Sequence, residues 1–173
     1  MIDTDVIARQ LVQPGEPALD EIRAAFGDDV LDEQRGLDRA FMRKIVFSDS
    51  AKREQLESIL HPRIRDEAIR QSISADGRYQ IIVVPLLVGS PMQQFMDRIL
   101  VVDCQEDTQL RRLLARDAEN EDQARRILSA QASRQDRLAI ADDVISNDSD
   151  LGVTRDQVSE LHGKYLKLAD GEE

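Results

Sequence analysis

Two short apolar runs constrain the fold of this chain more than any other feature. They are YQIIVVPLLV at residues 79–88 and DRILVVD at residues 97–103, and both are rich in β-branched side chains. Continuous runs of this kind are typical of parallel strands that are buried on both faces. A weaker run, DDVISN at 142–147, predicts a third strand. Because helical patterns lie between these runs, we expect an α/β fold with a parallel sheet and right-handed crossovers.

Helical periodicity marks the segments between and around the strands. It occurs at residues 17–27, 37–47, 50–60, 106–117 and 121–131. Pro62 predicts a break after residue 60, with a second helix that continues to about Ser74. A short polar joint is expected at Ala118 to Asn120. The last helix is expected to begin at Thr154, whose hydroxyl would form a capping box with Gln157.

The composition argues against two classes of partner. The net charge is −11 and aromatic residues make up only 3% of the 173 residues, which argues against a nucleic-acid or anionic-membrane partner. Apolar residues at 41% and charged residues at 33% are ordinary for a folded globular protein. We see no signal peptide and no membrane-spanning stretch, so we expect a cytoplasmic protein. Cys104 is the single cysteine in the sequence, so an internal disulfide is excluded. The sequence leaves the oligomeric state open.

The opening residues, MIDTDVIARQLVQPG, resemble the end of a strand that enters a helix. Parallel sheets bind ligands beyond the carboxyl ends of their strands. This expectation brings Asp3 and Asp5, the stretch from Pro85 to Gly89, and Asn147 to one edge. Asp5 can act there as a general base or hold Mg²⁺ through water, or it can be the N-cap of the following helix.

Two further groups of residues allow a functional and a structural interpretation. His61 and Arg65 would share a helical face and could meet a phosphate or a nucleoside, although a lone histidine is often a hydrogen-bonded structural residue. Residues 111–137 carry seven arginines against five acids. They form either a solvated surface with intrahelical ion pairs or a mobile lid over polyphosphate. Arg116 and Arg134 flank the predicted helix at 121–131 and would converge if it folds back as a hairpin.

Several strings together resemble the successive motifs of the dephospho-CoA kinase family. In chain order they are DTDVIARQLVQPG, ILHPRIR, IIVVPLLV, RILVVD with TQLRRLLARD, and ILSAQASRQDRLAIADDVISN. The resemblance covers residues 2 to about 168. It implies a P-loop NTPase-type, nucleoside-monophosphate-kinase-like parallel sheet with helices on both faces. It also implies one domain over 1–173, with a helical acceptor-binding part at 13–75 and a lid at 111–138.

The resemblance implies that ATP, with Mg²⁺, phosphorylates the 3′-hydroxyl of dephospho-CoA in the last step of coenzyme A synthesis. Asp5 would be the catalytic base, with Thr4 beside it where the family usually has Ala. Arg116 and Arg134 would face the ATP phosphates, and Asn147 would open the adenine loop. The residues that would bind or border the acceptor are Asp3, Arg9, His61, Pro62, Arg65, Leu86 and Leu87.

Two departures from the family pattern affect these expectations. Gly89 stands where the family usually has Glu, and no G-x-x-x-x-G-K-[ST] phosphate loop occurs in the 173 residues. The first strand and first helix of the family's sheet would be absent together with the loop. One interpretation is that the sequence starts at an internal Met of a dephospho-CoA kinase. The alternative is a paralogue that binds CoA or dephospho-CoA without catalysis. Under either one, we expect the 173-residue polypeptide to have no measurable kinase activity.

Overall fold

A computed structural model describes residues 1–117 and 120–171, and the chain divides into two compact units. The first unit is Met1–Pro85 and the second is Leu86–Glu173. Helices lie between the two strands of each pair along the chain, and both pairs of strands are parallel. The predicted α/β class is therefore confirmed. None of the helices in the described ranges is both long enough and apolar enough to cross a membrane.

The first unit combines a two-stranded parallel sheet with four helices. The strands are β1 (Ile2–Asp3) and β2 (Ile82–Val83), with Ile2 paired to Ile82 and Asp3 to Val83. The helices are α1 (Thr4–Gln10), α2 (Pro17–Phe26), α3 (Arg39–Ser48) and α4 (Ser50–Ser74). One core contains Ile22, Met42 and Ile59 from three of these helices, together with Val12 after α1 and Val30 after α2.

The boundaries of α2 follow the signals in its sequence. Pro17 occupies the first turn, where its missing N–H costs no helical hydrogen bond. Gly27 ends the helix with φ at 93°, a left-handed backbone that favours glycine. The observed α2 confirms the helix predicted at 17–27.

Pro62 lies inside α4, so the predicted break into two helices was wrong. Proline removes one backbone donor and crowds the preceding turn of a helix. Here the Arg63 guanidinium donates to the Ile59 carbonyl at 2.6 Å and also pairs with Glu21 of α2. These contacts support the turn around the proline, while α4 packs against α1, α2 and α3 along its length.

Among its described residues, the second unit contains a separate two-stranded parallel sheet and four α-helices. The strands are β3 (Leu100–Asp103) and β4 (Asp143–Ser146), which pair over four residues from Leu100↔Asp143 to Asp103↔Ser146. The helices are α5 (Glu106–Asp117), α6 (Glu121–Ser129), α7 (Arg134–Ala139) and α8 (Leu151–Ala169). The predicted helices at 106–117 and 121–131 are confirmed. Of the predicted joint, residues 118 and 119 lie outside the described residues, and Asn120 caps α6 through its side chain.

The strands are less buried than their apolar runs predict. Val102 of β3 is 59% exposed and Val144 of β4 is 47% exposed. In the described parts of the chain each sheet has only two strands, and a sheet this narrow offers helices little surface to cover. The expectation that the strands are buried on both faces was therefore wrong.

The start of α8 also differs from the prediction. Asp150 is the N-cap and accepts a hydrogen bond from the Val153 N–H at 3.1 Å, so α8 begins three residues before Thr154. Gln157 does not cap the helix. Its amide instead accepts from the Ser146 N–H at 2.9 Å and donates to the Ser146 carbonyl at 3.0 Å. The predicted capping box was wrong because Gln157 serves to dock α8 on β4.

Asp143 is a buried carboxylate that binds side chains from two other segments of the second unit. Arg98 donates to it at 3.0 Å from the segment before β3, and Tyr165 donates at 3.0 Å from α8. Lys164 of α8 forms an ion pair with its other oxygen. Burial alone raises the pKa of the Asp143 carboxyl, but the hydrogen bonds from Lys164, Arg98 and Tyr165 outweigh that effect and hold the pKa below its usual range.

We expect Asp143→Asn to lower the free energy of unfolding by about 2 kcal/mol at neutral pH, since it leaves buried donors without their charged acceptor. Because the folded-state pKa is depressed, the stabilisation is present above the ordinary carboxyl value of 3.8 and is lost as pH falls below it. Urea unfolding between pH 7 and pH 3 measures both effects. Asp156→Asn, an exposed change in α8, is the control, and an equal loss in both variants would contradict the assignment.

Candidate active site

The passage from β1 into α1 is fixed by the side chain of Asp3. One oxygen of its carboxylate accepts hydrogen bonds from the N–H groups of Asp5 at 2.8 Å and Val6 at 3.3 Å. These are two of the backbone donors that the first turn of a helix leaves unsatisfied. Asp3 is therefore the N-cap of α1, and the interpretation of Asp5 as the cap was wrong.

Asp5 lies in the first turn of α1 and is exposed to solvent. Its carboxylate takes part in no hydrogen bond and no ion pair with any residue in the described ranges. Its backbone is nevertheless held, because its N–H donates to Asp3. The Asp5 carboxylate is therefore a hydrogen-bond acceptor close to the end of β1, and it has no partner among the described residues.

Thr4, between these two carboxylates, is the first residue of α1 and points inward. The residue is only 7% exposed, and its hydroxyl donates to the Val83 carbonyl of β2 at 3.0 Å. The hydrogen bond joins the start of α1 to the end of the neighbouring strand. Sequence reasoning missed this contact, since Thr4 was noted only as a departure from Ala.

The remaining predicted residues of the first unit lie on α1 and α4, which pack together. Arg9 is exposed in the last turn of α1, four residues after Asp5, so the two share one helical face. His61 and Pro62 are exposed in the middle of α4. Arg65 is half-buried, shares a face with His61 because the helix is continuous, and donates to Asp66 at 2.8 and 2.9 Å.

A cleft of about 210 Å³ in the first unit involves none of these residues. It lies between α2 and the loop that follows residue 31, and Leu19, Arg23, Gln34 and Arg35 are among its lining. Arg35 adopts a left-handed backbone with φ at 63°. Its loop is held by Asp32, which accepts from the N–H groups of Gln34 and Gly36. The cleft is therefore separate from the predicted site residues.

Leu86 and Leu87 are the first two residues of the second unit and follow β2 after Val84 and Pro85. Leu86 is 69% exposed and Leu87 is half-buried. Gly89, where the family resemblance implies Glu, has φ at 76° with no atom within 4 Å of a Cβ built on it. The space would admit a side chain, but the left-handed backbone would be strained by any residue with a Cβ. The glycine therefore matches its local conformation.

Arg134, the first residue of α7, forms a two-pronged ion pair with Asp103 at the end of β3. Its Nε lies 3.0 Å from both carboxylate oxygens, and its Nη2 lies 2.6 Å from one of them. The Arg134 hydrogen bonds lower the pKa of the buried Asp103 carboxyl against the opposing effect of burial. Sequence reasoning did not select Asp103, although a carboxylate at the end of an apolar strand was the signal that could have found it.

The other two predicted residues of the second unit lie near strand and helix ends. Arg116 is exposed in the last turn of α5, and its convergence with Arg134 stays a prediction. Asn147 follows β4, and its N–H donates to the Asp103 carbonyl at 2.7 Å. One residue further, the Asp148 carboxylate accepts from the Gln105 N–H at 3.0 and 3.1 Å, which joins the loops after β3 and β4. Within residues 1–117 and 120–171, no group of three or more His, Cys, Asp or Glu could hold a metal ion.

Comparison with known proteins gives one consistent family. Residues 1–152 match the family model described as CoaE, dephospho-CoA kinase. The dephospho-CoA kinase of Thiobacillus denitrificans is 49% identical over 170 residues, which span 98% of this chain and 84% of that protein. The dephospho-CoA kinase of Aromatoleum aromaticum is also 49% identical over 170 residues, with 98% and 83% covered.

Solved structures agree on the fold. A crystal structure of TT1252 from Thermus thermophilus superposes with a TM-score of 0.78 at 20% identity, over 94% of this chain and 83% of that one. A dephospho-CoA kinase from Campylobacter jejuni gives a TM-score of 0.68 at 22% identity, over 98% and 85%.

The cap assignment predicts different effects for the two neighbouring carboxylates. We expect Asp3→Ala to lower the free energy of unfolding by about 1 kcal/mol, because the first turn of α1 loses its side-chain acceptor. Asp3→Asn keeps a capping oxygen and is expected to lose much less. Asp5→Ala should leave the stability unchanged within error. Urea unfolding measures all three, and a loss from Asp5→Ala as large as that from Asp3→Ala would contradict the assignment.

Proposed function

This chain belongs to the dephospho-CoA kinase family, and from that membership we propose that Asp5 is the base for phosphoryl transfer from ATP to the 3′-hydroxyl of dephospho-CoA. One observation carries the proposal. Asp3 satisfies the backbone donors at the start of α1, so the Asp5 carboxylate is exposed at the strand end and unpaired among the described residues. ATP is the co-substrate that this kinase family implies.

The chemistry requires positioning, charge neutralisation and an acceptor for one proton. As the 3′-oxygen attacks the γ-phosphorus, the bond from that phosphorus to the bridging oxygen breaks and ADP leaves. The hydroxyl proton passes to an oxygen of Asp5. A carboxylate within hydrogen-bond reach of the attacking hydroxyl is enough for this role.

The acceptor would lie against α1 and α4. Arg9 is supported by its position one turn after Asp5, and His61 and Arg65 by their shared face on a helix that packs against α1. Asp3 would act through the cap of α1 rather than through direct contact. The roles of Pro62, Leu86 and Leu87 at the border of the acceptor rest on the family resemblance and on the exposure of Pro62 and Leu86.

The nucleotide phosphates would meet Arg116 and Arg134. Two nitrogens of Arg134 bind Asp103, and its Nη1 donates to no residue in the described ranges, which leaves the N–H groups of Nη1 for phosphate oxygens. Asn147 would border the adenine. Mg²⁺ entering with ATP would neutralise phosphate charge, with phosphate oxygens and retained waters among its ligands.

The 173 residues contain no G-x-x-x-x-G-K-[ST] loop. Such a loop supplies backbone N–H groups and a lysine for the phosphates. The 173-residue chain is therefore expected to bind dephospho-CoA without measurable phosphoryl transfer. A non-catalytic paralogue that binds CoA or dephospho-CoA is the second candidate, favoured by the same missing loop.

Calorimetry and a coupled assay test the first expectation. Dephospho-CoA should bind to the 173-residue chain with a defined stoichiometry, and no ADP should form when ATP and Mg²⁺ are added. Arg53→Ala, an exposed change on α4, serves as the binding control. Normal turnover would overturn the expected inactivity, and absence of dephospho-CoA binding would overturn the acceptor site.

A chimera separates the two candidate functions. We expect kinase activity when the phosphate-loop segment of a family member is joined ahead of Met1, and we expect Asp5→Asn to lower kcat at least about 100-fold in that chimera. The Asn side chain keeps the shape of Asp but cannot take the proton. A folded chimera that binds both substrates without turnover would favour the non-catalytic paralogue.

A further inference from the structure

Thr4 lies at the point where the β1–β2 ladder ends. The register pairs Ile2 with Ile82 and Asp3 with Val83, and the next residue of the first segment is already the first residue of α1. At that place the Thr4 hydroxyl donates to the Val83 carbonyl at 3.0 Å. A side-chain donor thus connects the two segments after their backbones have diverged.

The burial of Thr4 favours the one side-chain direction in which its hydroxyl reaches the Val83 carbonyl. Thr4 is 7% exposed, and a buried hydroxyl that loses its acceptor lowers the stability of the fold. The hydrogen bond therefore opposes rotation of the first turn of α1 relative to β2. The Asp3 cap fixes where the turn begins, while Thr4 fixes which way it faces.

Asp5 is the residue that this orientation affects most directly. It follows Thr4 in the same helical turn, and its own carboxylate has no partner among the described residues to hold it. We propose that Thr4 is a positioning residue: its hydrogen bond to Val83 sets the direction in which Asp5 meets the acceptor hydroxyl. The inference rests on the proposed function. It depends on the hydroxyl at this position, since an Ala there could not make the bond.

The test compares two ligands that differ only in the reacting hydroxyl. Dephospho-CoA and its 3′-deoxy analogue are titrated calorimetrically into the 173-residue chain, and the ratio of their affinities measures the contact between the hydroxyl and Asp5. The unsubstituted chain should prefer the hydroxylated ligand by roughly tenfold or more, the value of a hydrogen bond to a charged group. A general loss of stability would not change this ratio in the folded protein, because it affects both ligands equally.

Four variants give the decisive comparison. Thr4→Val is close in shape to Thr and removes the hydroxyl, and it should reduce the preference to about threefold or less. Thr4→Ala should do the same and serves as the second hydroxyl-free variant if the first folds poorly. Thr4→Ser should retain the preference. Thr154→Val is the matched control, because it removes another hydroxyl-to-carbonyl hydrogen bond, that from Thr154 to Asp150, and should leave the ratio unchanged.

The outcomes separate this inference from the proposed function. If Asp5→Ala abolishes the preference but Thr4→Val and Thr4→Ala keep it in full, the role of Thr4 is overturned while Asp5 stands. Loss of the preference in Thr4→Ser as well would also overturn it, since the hydroxyl would not be the cause. If Asp5→Ala keeps the full preference, or dephospho-CoA does not bind, the proposed function fails and the inference fails with it.

Discussion

The first unit depends on a chain that must change from strand to helix within one residue. β1 ends at Asp3 and α1 begins at Thr4, so no loop is present to absorb the unpaired backbone groups. The Asp3 carboxylate accepts two of those N–H groups, and the Thr4 hydroxyl donates to the end of β2. With both neighbours committed to the backbone, Asp5 is the carboxylate that remains available at the junction.

Much of the fold could be predicted because local signals agreed with the tertiary structure. The periodicity and the Pro and Gly boundaries of α2 are examples, as are the apolar runs that became β3 and β4. Predictions failed where a distant side chain decided the outcome. The contact of Arg63 with Glu21 of α2 supports a helix through Pro62, and Ser146 draws Gln157 away from a capping role. No local pattern contains those partners.

For the candidate site, too, local signals were informative and contacts between distant residues were not visible in the sequence. Strand ends directed attention to Asp3 and Asp5, but the sequence could not decide which of them caps the helix, because both are good capping residues two positions apart. Asp103 was overlooked as the terminal residue of an apolar run. Its pairing with Arg134, 31 positions later, depends on the course of the chain through α5 and α6, which no spacing rule specifies.

The amide of Gln157 has a wider consequence for the second unit. The N–H groups of Asp143 and Asn147 bond toward β3, so the intervening Ser146 turns its own N–H and carbonyl to the opposite border of β4. Gln157 occupies both groups there, as the backbone of an adjacent strand would. One side chain thus imitates a missing strand for a single residue. In doing so it blocks the template on which another molecule could begin to build an intermolecular sheet.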